Sequence, residues 1–439
     1  MKKIIRILMI LFFMPLAVSA EEFMIKSFTL KNGMQVVVLP NHRSPVIFHS
    51  VWYKVGSKDD PLFKSGLAHF LEHMMFKSTV NSPSGNFDKI VDQLGGKHNA
   101  TTSYDRTNYY EIIGSQYLEE MMKLEADRMV NLTIDSKEVL SERNVVIEER
   151  LMRTDNPPQQ RLVEMMITHY YLHHPYRLPI IGWKHEMETY SREDALTFYK
   201  KWYAPNNAIL LLSGDITEEK AKKLAEKYYG SISAQVVETK EYPKEPSNHN
   251  IPARVTLKDK DIGTPFLYFM YQGISYVEDF KKGMVFDILA SLLKGSTGIW
   301  YETLVEKEKI ITTLSAETEE SFSYHPPFIM SVNLPKGGDI EKVEKRLRDL
   351  IDGLIKDGVK LEDFEHAKIK SLNALDYIKD SPVSLGNFLG EALIKGITID
   401  QMQSLRKVIQ SITKDEFMAQ LKETFSKEPR VIAVGLPKD

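Results

Sequence analysis

His69 and His73 stand four residues apart, with Glu72 immediately before the second. At that spacing a helix puts both imidazoles on one face, one turn above the other. There they supply two of the three protein ligands of an open tetrahedral zinc site. Glu72 is within reach of whatever the pair holds. A carboxylate so placed need not bind metal; it takes a proton from zinc-bound water and later returns it to a leaving amine. Leu67, Phe70, Leu71 and Met74 form an apolar stripe at helical spacing, so the segment packs as a helix whether or not it meets a metal.

A third protein ligand has to come from elsewhere in the chain. The helix expected over Lys137–Arg153 offers Glu138, Glu142, Glu148 and Glu149. Glu142 and Glu149 are seven apart and share a face, whereas Glu148 is turned away by roughly 100°. Spacing alone leaves Glu142 and Glu149 open. The chain contains no cysteine, so a metal site must use histidines and carboxylates. His169 and His173 are also four apart, but no carboxylate is placed as Glu72 is, and they read as surface or packing histidines.

The first residues, Met1-Lys2-Lys3-Ile4-Ile5-Arg6, precede an apolar run to Val18 that ends Val18-Ser19-Ala20. A basic start, a short apolar core and small residues at the end describe a secretory signal peptide over residues 1–20. The run is short for a membrane span and is interrupted by Pro15. These features predict export, to the periplasm of a Gram-negative cell, with no stable membrane span once the signal is cut. The formal net charge of −3 includes Lys2, Lys3 and Arg6, so cleavage leaves a more acidic chain, with no reason to expect nucleic acid as a partner.

At 439 residues the chain is too long for one ordinary core. Strand-like runs at Phe28–Leu30, Met34–Leu39 and Val46–Val55 lead to the histidine helix. Two further runs, Asn99–Tyr104 and Thr107–Ile113, follow a Gly95-Gly96 turn. Helices then dominate until a buried-looking strand at Asn207–Asp215. The polar stretch 236–257 carries Pro243, Pro246 and Pro252 and reads as a linker. Beyond it the order of elements begins again, from a strand at Pro265–Tyr271 through helices at Phe280–Leu293 and Trp300–Lys307 to a last strand at Arg430–Gly435. The expected fold class is α+β, with two homologous domains (21–235 and 258–439), each a mainly antiparallel sheet packed by helices.

Three blocks occur in order: Val55-Gly56-Ser57 with Gly66 to Met74; Gly95-Gly96-Lys97-His98-Asn99-Ala100-Thr101-Thr102; and Glu142 to Glu149. Together they resemble the M16 (pitrilysin/insulinase-like) metallopeptidases, in particular the group of the mitochondrial processing peptidase and its bacterial relatives. The H-x-x-E-H order is that of the inverzincins. The resemblance implies one zinc ion held by His69, His73 and Glu149, with Glu72 as general base and acid. It implies Glu142 as a supporting carboxylate that orients a histidine. It also implies that Asn99 and Ala100 hold an extended peptide along an exposed strand edge. A closed chamber that admits unfolded or short peptides is likewise what the resemblance implies.

Active relatives that work alone or as homodimers carry an Arg and a Tyr seven residues apart in the second domain. Here Val305 and Thr312 stand at the matching positions. Neither donates the hydrogen bonds that grip a substrate carbonyl or a developing oxyanion. The expectation is therefore a heterodimer, in preference to a homodimer, in which a homologous partner supplies the Arg and Tyr. The rival reading is a structural or assembly subunit that keeps the fold without activity, against which the full set His69, Glu72, His73 and Glu149 argues.

Overall fold

The computed structural model describes residues 23–238, 240–246, 252–319 and 321–438. The expected signal peptide lies outside them, as do residues 239 and 247–251 of the expected linker.

Eleven strands form two sheets among the described residues. The first contains β1 (Lys26–Thr29), β2 (Gln35–Pro40), β3 (Val46–Tyr53), β4 (Lys97–Thr102), β5 (Thr107–Gly114) and β6 (Ala208–Gly214), in the order β1-β2-β6-β3-β5-β4. The second contains β7 (Ala253–Asp259), β8 (Phe266–Gln272), β9 (Thr313–Thr318), β10 (Pro327–Asn333) and β11 (Val431–Pro437), in the order β7-β11-β8-β10-β9. With β1 set aside, both sheets run first, fifth, second, fourth, third. In both, the first and fifth strands form the parallel pair and the other pairs are antiparallel. The chain is thus two copies of one α+β unit. Its central strand β6 is buried along its full length, which accounts for the unbroken apolar run at Ala208–Leu212.

Helices α1 (Leu67–Met74), α2 (Asn86–Gln93), α3 (Leu118–Asn131), α4 (Ser136–Arg150) and α5 (Pro158–Tyr170) belong to the first half. Each half lends a helix to the other's sheet. Leu162, Met166, Ile167 and Tyr170 of α5 pack with Phe266, Tyr268, Met270 and Val431 of the second sheet. In return, helix Pro382–Ile394 lies across β3 and β6, with Gly386 against Phe48 and Leu211 and Gly390 against Trp52. A Cβ at Gly390 would run into the Trp52 ring, so the close crossing needs glycine there.

Two expectations are corrected. Residues at the end of the expected 236–257 linker form β7, a strand in which half-buried Ala253, Val255 and Leu257 alternate with exposed Arg254, Thr256 and Lys258. Its pairing with β11 in a sheet built from distant residues overrides the local proline and polar signals. The described residues before it are fastened to the first half. The Lys240 ammonium donates to the Asp59 carbonyl at 2.8 Å, and the Glu245 carboxylate accepts from the backbone N–H groups of Leu172, His173 and His174. The helix expected over Trp300–Lys307 is a π-type turn, Glu302–Lys307, closed by a bond from Glu308 N–H to the Thr303 carbonyl at 2.9 Å.

Candidate metal centre

Helix α1 starts where two backbone segments cross. Gly66 has φ +86° and abuts Ile181 and Gly182, so a Cβ there would strike the Ile181 carbonyl. The Asp60 carboxylate accepts from the N–H groups of Gly66 (2.6 Å) and Ala68 (2.8 Å), filling the helix's open N-terminal donors. The apolar stripe Leu67, Phe70, Leu71 and Met74 is fully buried. The opposite face therefore presents His69, Glu72 and His73 together.

Helix α4 crosses α1 and brings Glu149 to that face. Arg150, the next residue, anchors α4 through a bidentate pair with Glu164 on α5 (3.0 Å each) and a bond to the Gly182 carbonyl at 2.7 Å. Immediately after Arg150 the helix widens into a π-type turn, Leu151–Asp155, and Arg153, four residues on from Glu149, reaches the Glu149 Oε1 at 2.7 Å. Glu149 Oε2 is left facing His73 Nε2 at 3.2 Å and His69 Nε2 at 3.6 Å. One ligand atom from each of these three residues lies within 4.8 Å of the others, the one such group of three among the described residues. Two imidazole nitrogens and one carboxylate oxygen converge, with no further ligand residue grouped with them among the described residues, a donor set that fits a zinc ion and would leave its fourth position open. Glu148 points to solvent.

Glu142 stands behind His73: its Oε1 is 2.8 Å from His73 Nδ1, and its Oε2 accepts from Lys77 Nζ at 2.6 Å. The carboxylate thereby fixes which His73 nitrogen faces Glu149. Burial works against charge on His73, yet its bonds to Glu142 and Glu149 outweigh this and raise its pKa to about 9. His69 has no such support on its buried Nδ1; burial, aided by the charge of His73, pulls it down to about 4. Burial also acts to raise Glu142 and Glu149, but their cationic neighbours hold both below the usual carboxylate range.

Glu72 is 8% exposed and sits beside the trio without joining it. Burial raises its pKa, against the hydrogen bond that its Oε2 accepts from the Thr102 hydroxyl. Thr102 ends β4, an edge strand of the first sheet, and among the described residues no strand pairs with its outer side. At the hairpin end, Ser103 N–H donates to the Arg106 carbonyl at 2.8 Å. Antiparallel alternation then turns the backbone groups of Ala100 and Thr102 to the open edge. Consistent with this, the Ala100 N–H bonds the Asn99 side chain at 2.9 Å and not β5. Ala100, Thr101 and Thr102 line a cleft of about 420 Å³ together with His69, Glu72 and Glu149.

The other sequence candidates lie apart. His169 bonds its own helix at the Met165 carbonyl (2.7 Å) and His173 is exposed; neither meets a ligand group. Val305 is half-buried against the second core, and the Thr312 hydroxyl donates to the Asn333 carbonyl at 3.2 Å. In the second half, the helices that follow β8 and β10 as α1 and α4 follow β3 and β5 meet through Ser291 and Ser371, whose hydroxyls are 3.1 Å apart. Sequence reasoning missed Thr102 and Arg153. A Thr two residues past Ala100 and an Arg four past Glu149 are the signals that were present.

Residues 36–183 match the family described as Insulinase (Peptidase family M16), and residues 189–371 match the Peptidase M16 inactive domain. The zinc protease PqqE of Helicobacter pylori is 31% identical over 388 residues, which cover 87% of this chain and 86% of that protein. A solved protease structure from Helicobacter pylori superposes with a TM-score of 0.88 at 27% identity, covering 94% of this chain and 100% of that one. The periplasmic protease PqqL from Escherichia coli shares the fold, with a TM-score of 0.80 at 20% identity over 94% of this chain and 47% of its own.

Proposed function

The chain belongs to the M16 family of zinc proteases, and on that footing we propose that it is an exported endopeptidase that hydrolyses extended or unfolded peptides. The observation that carries this is the convergence of His69, His73 and Glu149, with Glu72 alongside, at the open edge of β4. Zinc bound by those three residues supplies Lewis acidity, which brings the pKa of water to about 7 and polarises a carbonyl. Glu72 takes the proton of the attacking water and delivers it to the leaving amine nitrogen. Thr102 aims the Glu72 carboxylate, and Glu142 holds the His73 ring through Nδ1. An extended peptide pairs with the backbone groups of Ala100 and Thr102, displacing the Asn99 side chain from the Ala100 N–H. That pairing reads backbone, so affinity depends little on side chains.

The same proposal includes a partner. With Val305 and Thr312 taken up by the second core and sheet, a homologous M16 subunit supplies the Arg and Tyr in a heterodimer. Export rests on the signal-peptide pattern of residues 1–20. Among the described residues no helix is long and apolar enough to cross a membrane.

The test combines metal analysis with casein hydrolysis by the wild-type chain and Glu72→Gln, each with and without a homologous M16 chain from the same cell. The variant keeps zinc and loses hydrolysis; unchanged hydrolysis would refute the role of Glu72. Full turnover by the lone wild-type chain would remove the heterodimer. A zinc-loaded pair that cleaves nothing would leave the assembly-subunit reading.

A further inference from the structure

Two consecutive residues of the turn between β4 and β5, Asp105 and Arg106, are held by the second half. Arg106 Nε donates to Glu391 Oε2 at 2.8 Å on helix Pro382–Ile394. The same guanidinium donates to the Thr101 carbonyl at 2.9 Å, to the Thr101 hydroxyl and to Asn108 Oδ1 at 2.7 Å, and it lies over the Trp52 ring. Glu391 is paired in addition with Lys395 at 2.9 Å. Burial would raise the Glu391 carboxyl, yet Lys395 and Arg106 hold it below the usual range. Next to Arg106, the buried Asp105 accepts from the N–H (3.1 Å) and hydroxyl (2.8 Å) of Ser323, in the loop after β9. It also accepts from Tyr176 at 2.7 Å and from Lys58.

Thr101 lies between Ala100 and Thr102, the two residues whose backbone groups face the open edge. An outermost strand has a ladder on one side only, so its position depends on such side-chain bonds more than that of an inner strand. We propose that Arg106 and Glu391 are a positioning pair, through which the second half holds β4 in place for backbone pairing with a peptide. The half without metal ligands thereby acts on the metal-bearing half at the strand beside Glu72. The inference rests on β4 as the peptide-binding edge, and it assigns no contact between Arg106 or Glu391 and the reacting atoms.

The experiment uses the full, zinc-loaded chain with Glu391→Gln and, separately, Arg106→Gln, so that a folding failure of one leaves the other. Amide hydrogen exchange over residues 97–102 is read first, since it requires no substrate. Exchange there rises about tenfold in both variants, while zinc content and the exchange of β6 stay as in the wild type; that ratio corresponds to about 1.4 kcal/mol of local opening. Fluorescein-labelled casein is then titrated onto each variant in a Glu72→Gln background, where its affinity falls about tenfold, and the double variant falls no further than either single one. Unchanged exchange over 97–102 in both variants overturns the inference, even if casein is bound and cleaved normally. If exchange rises but the Glu72→Gln chain binds no casein, the pair still positions β4 and the peptidase reading is what fails.

Discussion

At the scale of single residues, Thr102 and Glu142 each hold one group of the centre still, and their loss separates chemistry from metal binding. Thr102→Val keeps the shape of the side chain and removes the hydroxyl that bonds Glu72. A hydrogen bond to a charged group is worth about 1.5–3 kcal/mol, so kcat for casein should fall by roughly 10- to 100-fold with zinc content unchanged. Thr102→Ser, which restores the donor, should recover most of the rate; equal loss in both variants would show that the hydroxyl is not what matters. Glu142→Gln should act on the metal instead, weakening zinc affinity by about 10- to 100-fold in competition with a chromogenic chelator, because His73 loses its charged support. At this scale His69, Glu72 and His73 were legible because their relation is local, one turn of one helix. Spacing alone left the choice between Glu142 and Glu149 open, because both lie on the same face of α4, and it was the family resemblance that implied Glu149. Only the crossing of α4 over α1 sets Glu149 against the two Nε2 atoms and Glu142 against Nδ1. Thr102 was hidden for the same reason: a sheet, not sequence proximity, brings it to Glu72.

At the scale of elements, β3, β5 and α3 meet at a fully buried polar group that the metal centre does not use. His49 Nδ1 lies 2.5 Å from Glu111, whose other oxygen lies 3.6 Å from Arg128; Arg128 also pairs with Glu125. The Arg128 guanidinium is enclosed by the rings of Phe76, Phe87 and Tyr109. Two acids and one permanent cation in a dry site favour retention of one proton. Burial, reinforced by Glu111 and opposed by Arg128, pushes Glu125 up to about 8, and burial pulls His49 down to about 4. The Glu125 contribution is full below the unfolded carboxyl value of about 4.3 and is lost as pH rises through 8. The His49 contribution is full above about 6.5 and is lost as pH falls through 4. Between about 4.5 and 6.5 the two slopes oppose each other. Above 6.5 the His49 slope is spent and the raised carboxyls remain, Glu125 foremost and Glu111 raised by burial as well, so the group should lose stability towards pH 8, by up to about 1.4 kcal/mol per pH unit from Glu125. Glu125→Gln, a neutral isostere, should flatten that segment. Urea unfolding of both zinc-loaded proteins at pH 6.5 and 8 measures the difference, and parallel pH profiles would show that Glu125 is already ionised. Nothing in the sequence marked these residues, because neither a His or Glu within an apolar strand nor a Glu and an Arg three apart on a helix carries a signal of its buried partners. The strand β7 was missed differently: its alternation was present, but the prolines before it weighed more.

At the scale of the whole molecule, the repeat was legible in the order of elements, whereas the exchange of helices between halves was not. The exchange has a consequence for stability. Phe48, Trp52 and Leu211 are at most 2% exposed, and helix Pro382–Ile394 covers them from the other half. Phe266, Tyr268 and Met270 are similarly packed with α5. Uncovering one such side chain costs about 1.5–3 kcal/mol, so stripping the partner helix from either sheet removes about 4.5–9 kcal/mol, a large share of the roughly 5–15 kcal/mol that holds a domain folded. Neither half should therefore fold alone, and the two should unfold together. Calorimetry of the zinc-loaded chain should show one transition, with a calorimetric enthalpy matching the van't Hoff value. A protease site placed within residues 247–251 and cut after folding should leave the halves associated and the zinc in place, since the contacts that join them lie in the helices and at Asp105 and Arg106. Two separable transitions, or a soluble and zinc-binding fragment 21–246 expressed by itself, would show that each sheet closes its own core without the helix it borrows.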